Sequence, residues 1–141
     1  MPADDDVRLC DFAIASNQML IELQLVIWSV GYSHINKHPG ASGELMLVSM
    51  QSAIATRQGA PMTASEIAAK LRMPYSNVKR QLDHLIADGR VKRVKRRYIH
   101  DLDRLDGYLK SRKTVDQAIA IMERCLIEYK RLRPLLDDRM E

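Results

Sequence analysis

Aromatic residues, glycine and proline are scarce in this sequence of 141 residues. It contains one Phe, one Trp, five Tyr, six Gly and five Pro. A turn-rich β-sandwich needs many glycines and prolines in its turns, so their scarcity favours helices. Eight methionines and a hydrophobic share of 46% are enough for a packed core. We therefore expect an aliphatic, mainly α fold in one domain over residues 1–141, and not a disordered chain.

Cysteines and long apolar runs are scarce as well. Cys10 and Cys125 lie far apart, so they match neither a zinc-binding spacing nor a dense disulfide framework. The most apolar stretch, residues 19–31, contains Glu22 and Gln24 and is shorter than the roughly 20 apolar residues that span a bilayer. The first residues, Met-Pro-Ala-Asp-Asp-Asp, lack the pattern of a secretory signal. We expect a cytoplasmic protein that does not bind a membrane.

Residue patterns typical of catalysis or metal binding are missing from the sequence. There is no catalytic triad motif, no Gly-rich phosphate loop and no paired-carboxylate site. His34 and His38 lie four positions apart, but Pro39 and Gly40 favour a loop there and no third ligand follows nearby. We therefore expect no enzyme, no metal site and no cofactor.

Positive charge is concentrated in one part of the chain. The whole chain has a formal net charge of +4. Residues 62–100 contain ten Lys and Arg residues and three Asp and Glu residues, so the rest of the chain has a small net negative charge. Such an asymmetry within one domain indicates a surface that binds a polyanion.

Helical periodicity is strong at both ends of the chain. The apolar stripe over residues 6–33 is so broad that part of it should contact another chain. In residues 112–137 the apolar positions are separated alternately by four and three residues, as in a coiled coil, with one break at Arg133. We expect both segments to be dimerisation helices. The apolar positions of the second segment are Val115, Ile119, Met122, Leu126, Tyr129 and Leu136.

The middle segment, residues 44–100, predicts helices and then a hairpin. A helix follows the loop over residues 38–43 and ends near Gly59. Thr63 and Glu66 have the spacing of a capping box, which predicts the start of the next helix. A tight turn at Pro74 separates that helix from a fourth.

The end of the middle segment loses the helical period. Gly89 suits the left-handed cap that ends the fourth helix. Residues 90–100 then predict two short strands that turn near Arg96, within a run of basic residues.

The run from Met62 to Val91 resembles the DNA-binding core of bacterial winged-helix regulators. The motifs are Glu-Ile-Ala, Ser-Asn-Val, Leu-x-x-Leu and Asp-Gly-x-Val. With helices on both sides, the chain resembles the MarR family, although Arg72 stands where Gly is usual and the hairpin lacks the Asp-x-Arg segment and the length of MarR wings. The resemblance implies a winged helix-turn-helix fold with long N- and C-terminal dimerisation helices and a short β-hairpin wing. It also implies a homodimeric, sequence-specific transcriptional regulator that binds double-stranded DNA.

The fourth helix and the hairpin supply the candidate DNA contacts. On the face opposite the apolar arc, Arg80 and Asn77 are candidates for reading guanine and adenine in the major groove. Hydroxyl and ammonium groups on the same helix would contact phosphates, and the basic hairpin would follow the backbone or enter the minor groove. The predicted DNA-binding residues are Tyr75, Ser76, Asn77, Lys79, Arg80, His84, Lys92, Arg93, Lys95, Arg96 and Arg97.

Two alternatives remain open at this point. In the first, a small-molecule effector, or an oxidant acting on Cys10 or Cys125, would release the DNA. In the second, the winged helix would be a protein-interaction module whose basic face meets an acidic partner. The sequence alone does not decide between them.

Overall fold

A computed structural model of the chain describes residues 3–106 and 111–136, with side chains described for residues 10–104 and 111–136. The chain divides into two compact units. The terminal unit comprises Met1–Val26 and Ser111–Glu141, and the central unit comprises Ile27–Lys110. The expectation of a mainly helical protein is confirmed, and the sheet that accompanies the helices is small, antiparallel and three-stranded.

The elements follow the periodicity of the sequence closely. Two one-turn 3₁₀ helices lie at Pro39–Ser42 and Arg133–Leu135. The α-helices are α1 (Ala3–Gly31), α2 (Gly43–Arg57), α3 (Ala64–Leu71), α4 (Tyr75–Ala87), α5 (Leu102–Asp106) and α6 (Arg112–Leu132), and the strands are β1 (Met62–Thr63), β2 (Val91–Val94) and β3 (Arg97–His100).

Helix α3 begins with the predicted capping box. The Thr63 hydroxyl accepts a hydrogen bond from the backbone N–H of Glu66 at 3.2 Å, and the backbone N–H of Thr63 donates to the Glu66 carboxylate at 3.4 Å. Two donors at the helix start are thereby satisfied, which fixes the residue at which α3 begins.

A residue with left-handed backbone follows each of the helices α3 and α4. Arg72, where the winged-helix pattern usually has Gly, has a φ of 54° and makes the turn between the two helices. Gly89, which follows α4, has a φ of 78°, as its predicted role in a left-handed cap requires. The tight turn and the cap thus set the positions of α4 and of the strand that follows.

The core of the central unit lies between α2, α3, α4 and the sheet. Val78, Leu82 and Leu85 of α4 are fully buried, as predicted from their common arc. Ile86, which was assigned to the same arc, is instead 37% exposed. It lies at the edge of the arc, where no described element covers it completely.

The sheet contains one strand that the sequence pattern did not predict. β3 lies in the centre and pairs antiparallel with β2 on one side and with β1 on the other. Strand β1 has only two residues, with Met62 opposite Tyr98. Two residues are too few to show alternation in a sequence, and their pairing with β3 defines the strand.

The segments around α5 and α6 differ in detail from the predicted ones. The ambiguous stretch after Asp101 contains helix α5, and residues 107–110 lie outside the described residues. Helix α6 ends at Leu132, before the predicted end at residue 137, because Pro134 cannot continue the hydrogen-bond ladder. Residue 137 lies outside the described residues.

In the terminal unit, α1 and α6 run antiparallel. The rings of Phe12 and Tyr129 meet edge to face with their centroids 5.0 Å apart, and the Tyr129 hydroxyl hydrogen-bonds that of Ser16. Further along α1, Glu22 forms an ion pair with Arg124. The buried side chains of α6 are Ile121, Cys125 and Leu132.

Candidate nucleic-acid interface

The hairpin of β2 and β3 exposes a group of cations. Lys92, Lys95 and Arg96 are all exposed, and none of their side chains has a hydrogen bond or an ion pair within the described residues. Lys95 has a φ of 59°, so a left-handed residue makes the turn that brings β2 back into β3. These three side chains, here called the wing cations, are free to meet an anion from solution.

The other two basic residues of the hairpin help to hold it together. Arg93 Nε donates to the carbonyl of Lys95 across the turn at 2.8 Å. Arg97 donates to the carbonyl of Pro61 at 2.6 Å and lies 3.6 Å from the Glu66 carboxylate. Arg97 therefore ties the hairpin to the start of α3, and part of its charge is already neutralised.

A cleft of about 230 Å³ lies beside the hairpin, at the start of α3. Two guanidinium groups and four hydroxyl-bearing side chains line it, and no carboxylate does. Such a set can receive an anionic group, because arginine binds phosphate oxygens in a fixed geometry and hydroxyls add hydrogen bonds. The cleft is lined by Thr63, Ala64, Ser65, Tyr75, Arg93, Arg96 and Tyr98.

The outer face of α4 is bound to a carboxylate from α2. Glu44 accepts hydrogen bonds from Asn77 Nδ2 at 3.2 Å and from Gln81 Nε2 at 3.4 Å. It also lies 3.7 Å from the Arg80 guanidinium, which is 60% exposed. The two residues predicted to read bases are thus both engaged with Glu44.

Lys79 supports the sheet from α4. Its ammonium group donates to the Tyr98 hydroxyl at 2.8 Å and lies 3.8 Å from the Asp83 carboxylate. The hydrogen bond to Tyr98 is the main reason that the pKa of Lys79 is raised above its usual value. Since Tyr98 is buried, Lys79 connects α4 to the central strand, and its donors are not all available to a phosphate.

The remaining predicted contacts on α4 are exposed. Tyr75 is 53% exposed and lies at the cleft, and Ser76 and His84 also face solvent without a polar partner in the described residues. Arg90, which contributed to the basic count of residues 62–100, is buried. It therefore adds nothing to the exposed charge.

The sequence reasoning missed two features of this surface. One is Glu44, whose contact with Asn77 spans 33 positions and leaves no trace in the local pattern. The other is Ser65, which reaches the cleft beside Thr63. The only signal in the sequence was that Ser65 lies in the first turn of a capped helix. The backbone N–H groups of that turn are exposed and can bind an anion.

In the described ranges, no group of three or more His, Cys, Asp and Glu side chains is arranged to hold a metal ion. One helical stretch, Cys10–Gly31, is long and apolar enough by composition to cross a membrane, with a mean hydropathy of 1.2. Cys10 is exposed and Cys125 is buried.

Comparison with known proteins corrects the family assignment. Residues 45–99, from α2 to β3, match the family model described as the C-terminus of the ethanolamine utilization protein EutK. No curated protein and no solved structure matched the chain. The MarR assignment is wrong, because the matching family is a different one. The expected function of a MarR-like, sequence-specific transcriptional regulator is withdrawn with it.

The cause of this error lies in the motifs. They describe a capped helix, a tight turn and a helix end, as the structure of α3 and α4 shows. Such features follow from local helix geometry and are compatible with more than one family. The chain is therefore similar, over residues 45–99, to the C-terminal part of EutK.

Proposed function

We propose that the central unit is a winged-helix module that binds the phosphate backbone of double-stranded DNA without reading its base sequence. The observation that carries the proposal is the set of three free wing cations beside a cleft lined by Arg93 and Arg96. Residues 45–99 of this unit are similar to the C-terminus of the ethanolamine utilization protein EutK.

The hairpin suits a polyanion better than a single anion. Duplex DNA presents a phosphate charge about every 1.7 Å along its axis, so a row of cations can contact several phosphates at once. Lys92 and Lys95 are flexible point charges on the hairpin, whereas Arg96 can form two parallel hydrogen bonds to one phosphate at the cleft. The release of condensed counterions then drives binding.

The outer face of α4 argues against base reading. Specific contacts need the free donors of an arginine or the amide of an asparagine in the major groove. Here the Glu44 carboxylate accepts a hydrogen bond from the Asn77 amide and forms an ion pair with Arg80. Its negative charge on this face would also repel the phosphates that flank the groove. Binding through the hairpin does not require these contacts to break.

The architecture supports the winged-helix part of the proposal. Helices α3 and α4 are joined by a tight turn, and the hairpin of β2 and β3 follows α4 directly. Strand β1, Lys79 and Arg97 each tie the hairpin to these helices. A hairpin held in this way keeps its cations in place when it meets a backbone.

The test is fluorescence anisotropy with two labelled duplexes of equal length, one AT-rich and one GC-rich, over a salt series. The wild type should bind both duplexes with affinities within about threefold of each other. The triple variant K92A/K95A/R96A should bind at least about tenfold more weakly. Each phosphate contact contributes about 0.9 to the slope of the logarithm of the binding constant against the logarithm of the salt concentration. If each wing cation contacts one phosphate, the magnitude of this slope should therefore be about 2.7 smaller in the triple variant.

The matched control is K37A/R57A/K113A, which removes the same charge from exposed residues outside the hairpin. It should bind nearly as the wild type does. Equal weakening in the two triple variants would show that net charge alone drives binding and would overturn the proposed site. A complete lack of duplex binding at low salt, or a strong preference for one duplex, would overturn the proposed function.

A further inference from the structure

The described part of the terminal unit leaves most of its large apolar side chains exposed to water. Over residues 10–26 and 111–136 only Ile121, Cys125 and Leu132 are buried hydrophobic residues. More than three times as many large apolar side chains are exposed in the same residues. They are Ile14, Leu20, Ile21, Leu25, Ile119, Met122, Leu126, Ile127, Tyr129 and Leu135.

On α6 the exposed apolar residues form an ordered row. Ile119, Met122, Leu126 and Tyr129 are separated by three, four and three positions, so they lie along one side of the helix, and they are 39–53% exposed. Ile121 and Cys125 are buried on an adjoining side of the helix, which contacts α1, and Tyr129, at the end of the row, also contacts α1. Helix α6 therefore has two apolar sides, and only one of them is covered.

Helix α1 repeats this arrangement. Ile14, Asn17, Ile21 and Leu25 are separated by three, four and four positions, so they also lie along one side of the helix, and Ile14 and Ile21 are each 59% exposed. Phe12 and Ser16 contact Tyr129 from another side of the helix. An asparagine within such a row is typical of helices that pair with other helices, where it fixes the register at some cost in stability.

We propose that a second copy of this chain covers these rows, so that α1 and α6 of both copies form a four-helix bundle. The charges suit this occupant. Residues 3–26 contain five acidic side chains and one basic one, and residues 111–136 contain six basic and three acidic ones. An acidic α1 of one copy thus matches the basic α6 of the other, as Glu22 and Arg124 already match within one chain.

A lipid bilayer fits the same surface less well. It would cover the stretch Cys10–Gly31, which has a mean hydropathy of only 1.2 and includes Asn17 and Glu22. Helix α6 contains too many charged residues to enter the bilayer with α1. Its apolar row would stay in water, whereas a second copy covers the rows of both helices.

The test measures the molar mass of the full chain by light scattering after size exclusion, across a concentration series. The wild type should have twice the 16.1 kDa mass of one chain. The variant I119E/L126E places two charges in the exposed row and should shift the protein to monomer. The matched control Q117E/A120E adds the same charge at exposed positions of α6 outside the row, and it should stay dimeric.

Circular dichroism distinguishes a lost interface from a lost fold. If I119E/L126E keeps its helix content and becomes monomeric, the proposal holds. A wild type that is monomeric at all concentrations would overturn it, as would a variant that stays dimeric. Flotation of the monomer with phosphatidylglycerol vesicles would assign the surface to a membrane instead. The wing cations play no part in this test, so its outcome is independent of DNA binding.

Discussion

The guanidinium of Arg90 lies over the ring of Tyr32, 4.4 Å from its centre, and both side chains are buried in the central unit. Arg90 also donates to the carbonyl of Gly31 at 2.5 Å. Its Nε lies 3.4 Å from a carboxylate oxygen of Asp88, near enough for an ion pair but without hydrogen-bond geometry. One basic residue thus joins the end of α1 to the segment between α4 and β2.

We expect R90A to destabilise the protein strongly. The change leaves the Gly31 carbonyl without this donor and removes the packing over the Tyr32 ring, so the free energy of unfolding should fall by about 2–4 kcal/mol. Urea denaturation measures this loss. The control is R96A, an exposed arginine, whose effect should stay within about 0.5 kcal/mol. Equal stability of the two variants would contradict the structural role of Arg90.

His100 should make stability depend on pH. A chain of hydrogen bonds runs from the Tyr32 hydroxyl to Ser49 Oγ at 2.8 Å and from there to His100 Nε2 at 3.2 Å. Because a carbonyl can only accept, Nδ1 donates to the carbonyl of Asp101 at 2.9 Å. The neutral imidazole therefore fits the network with Nε2 as the acceptor, and burial lowers the pKa of His100 below its usual value.

The sign of the pH effect follows from this lowered pKa. The unfolded chain takes up the proton near pH 6.5, while folded His100 stays neutral to lower pH. The contribution of neutral His100 to the free energy of unfolding is complete above that pH. It is lost as the pH falls, by at most about 1.4 kcal/mol per pH unit. Urea midpoints between pH 7.5 and 5.5 should show this slope in the wild type and in H84Q, which changes an exposed histidine. A slope of the same size in H100Q would contradict the assignment.

The parts of the fold that the sequence predicted depend on short-range chemistry. The capping box of Thr63 and Glu66 spans three positions, and the buried arc of α4 repeats within two turns. Such signals are complete within one element, so the periodicity suffices. The left-handed conformation of Arg72 is also local, although a residue with a Cβ makes it less favourable than glycine would.

The parts that could not be predicted depend on contacts between distant segments. The hydrogen bond from Arg90 to Gly31 spans 59 positions, and the one from Asn77 to Glu44 spans 33. A count of basic residues treats Arg90 as surface charge, and a helical projection treats Asn77 as free. Both expectations fail because tertiary partners decide which polar groups remain available to a ligand.

Glu44 should weaken DNA binding, and E44Q tests this. The variant removes a negative charge from the face of α4 and ends the ion pair with Arg80, while a side-chain oxygen remains to accept from Asn77. Under the proposed function, affinity should rise about threefold for AT-rich and GC-rich duplexes alike, since a repulsion with phosphates is lost. The control E123Q changes the same charge on α6 and should leave the affinity unchanged. Because salt screens this repulsion, the gain should shrink as salt rises. An unchanged affinity of E44Q at low salt would show that α4 stays away from the DNA and that the hairpin alone makes the contact.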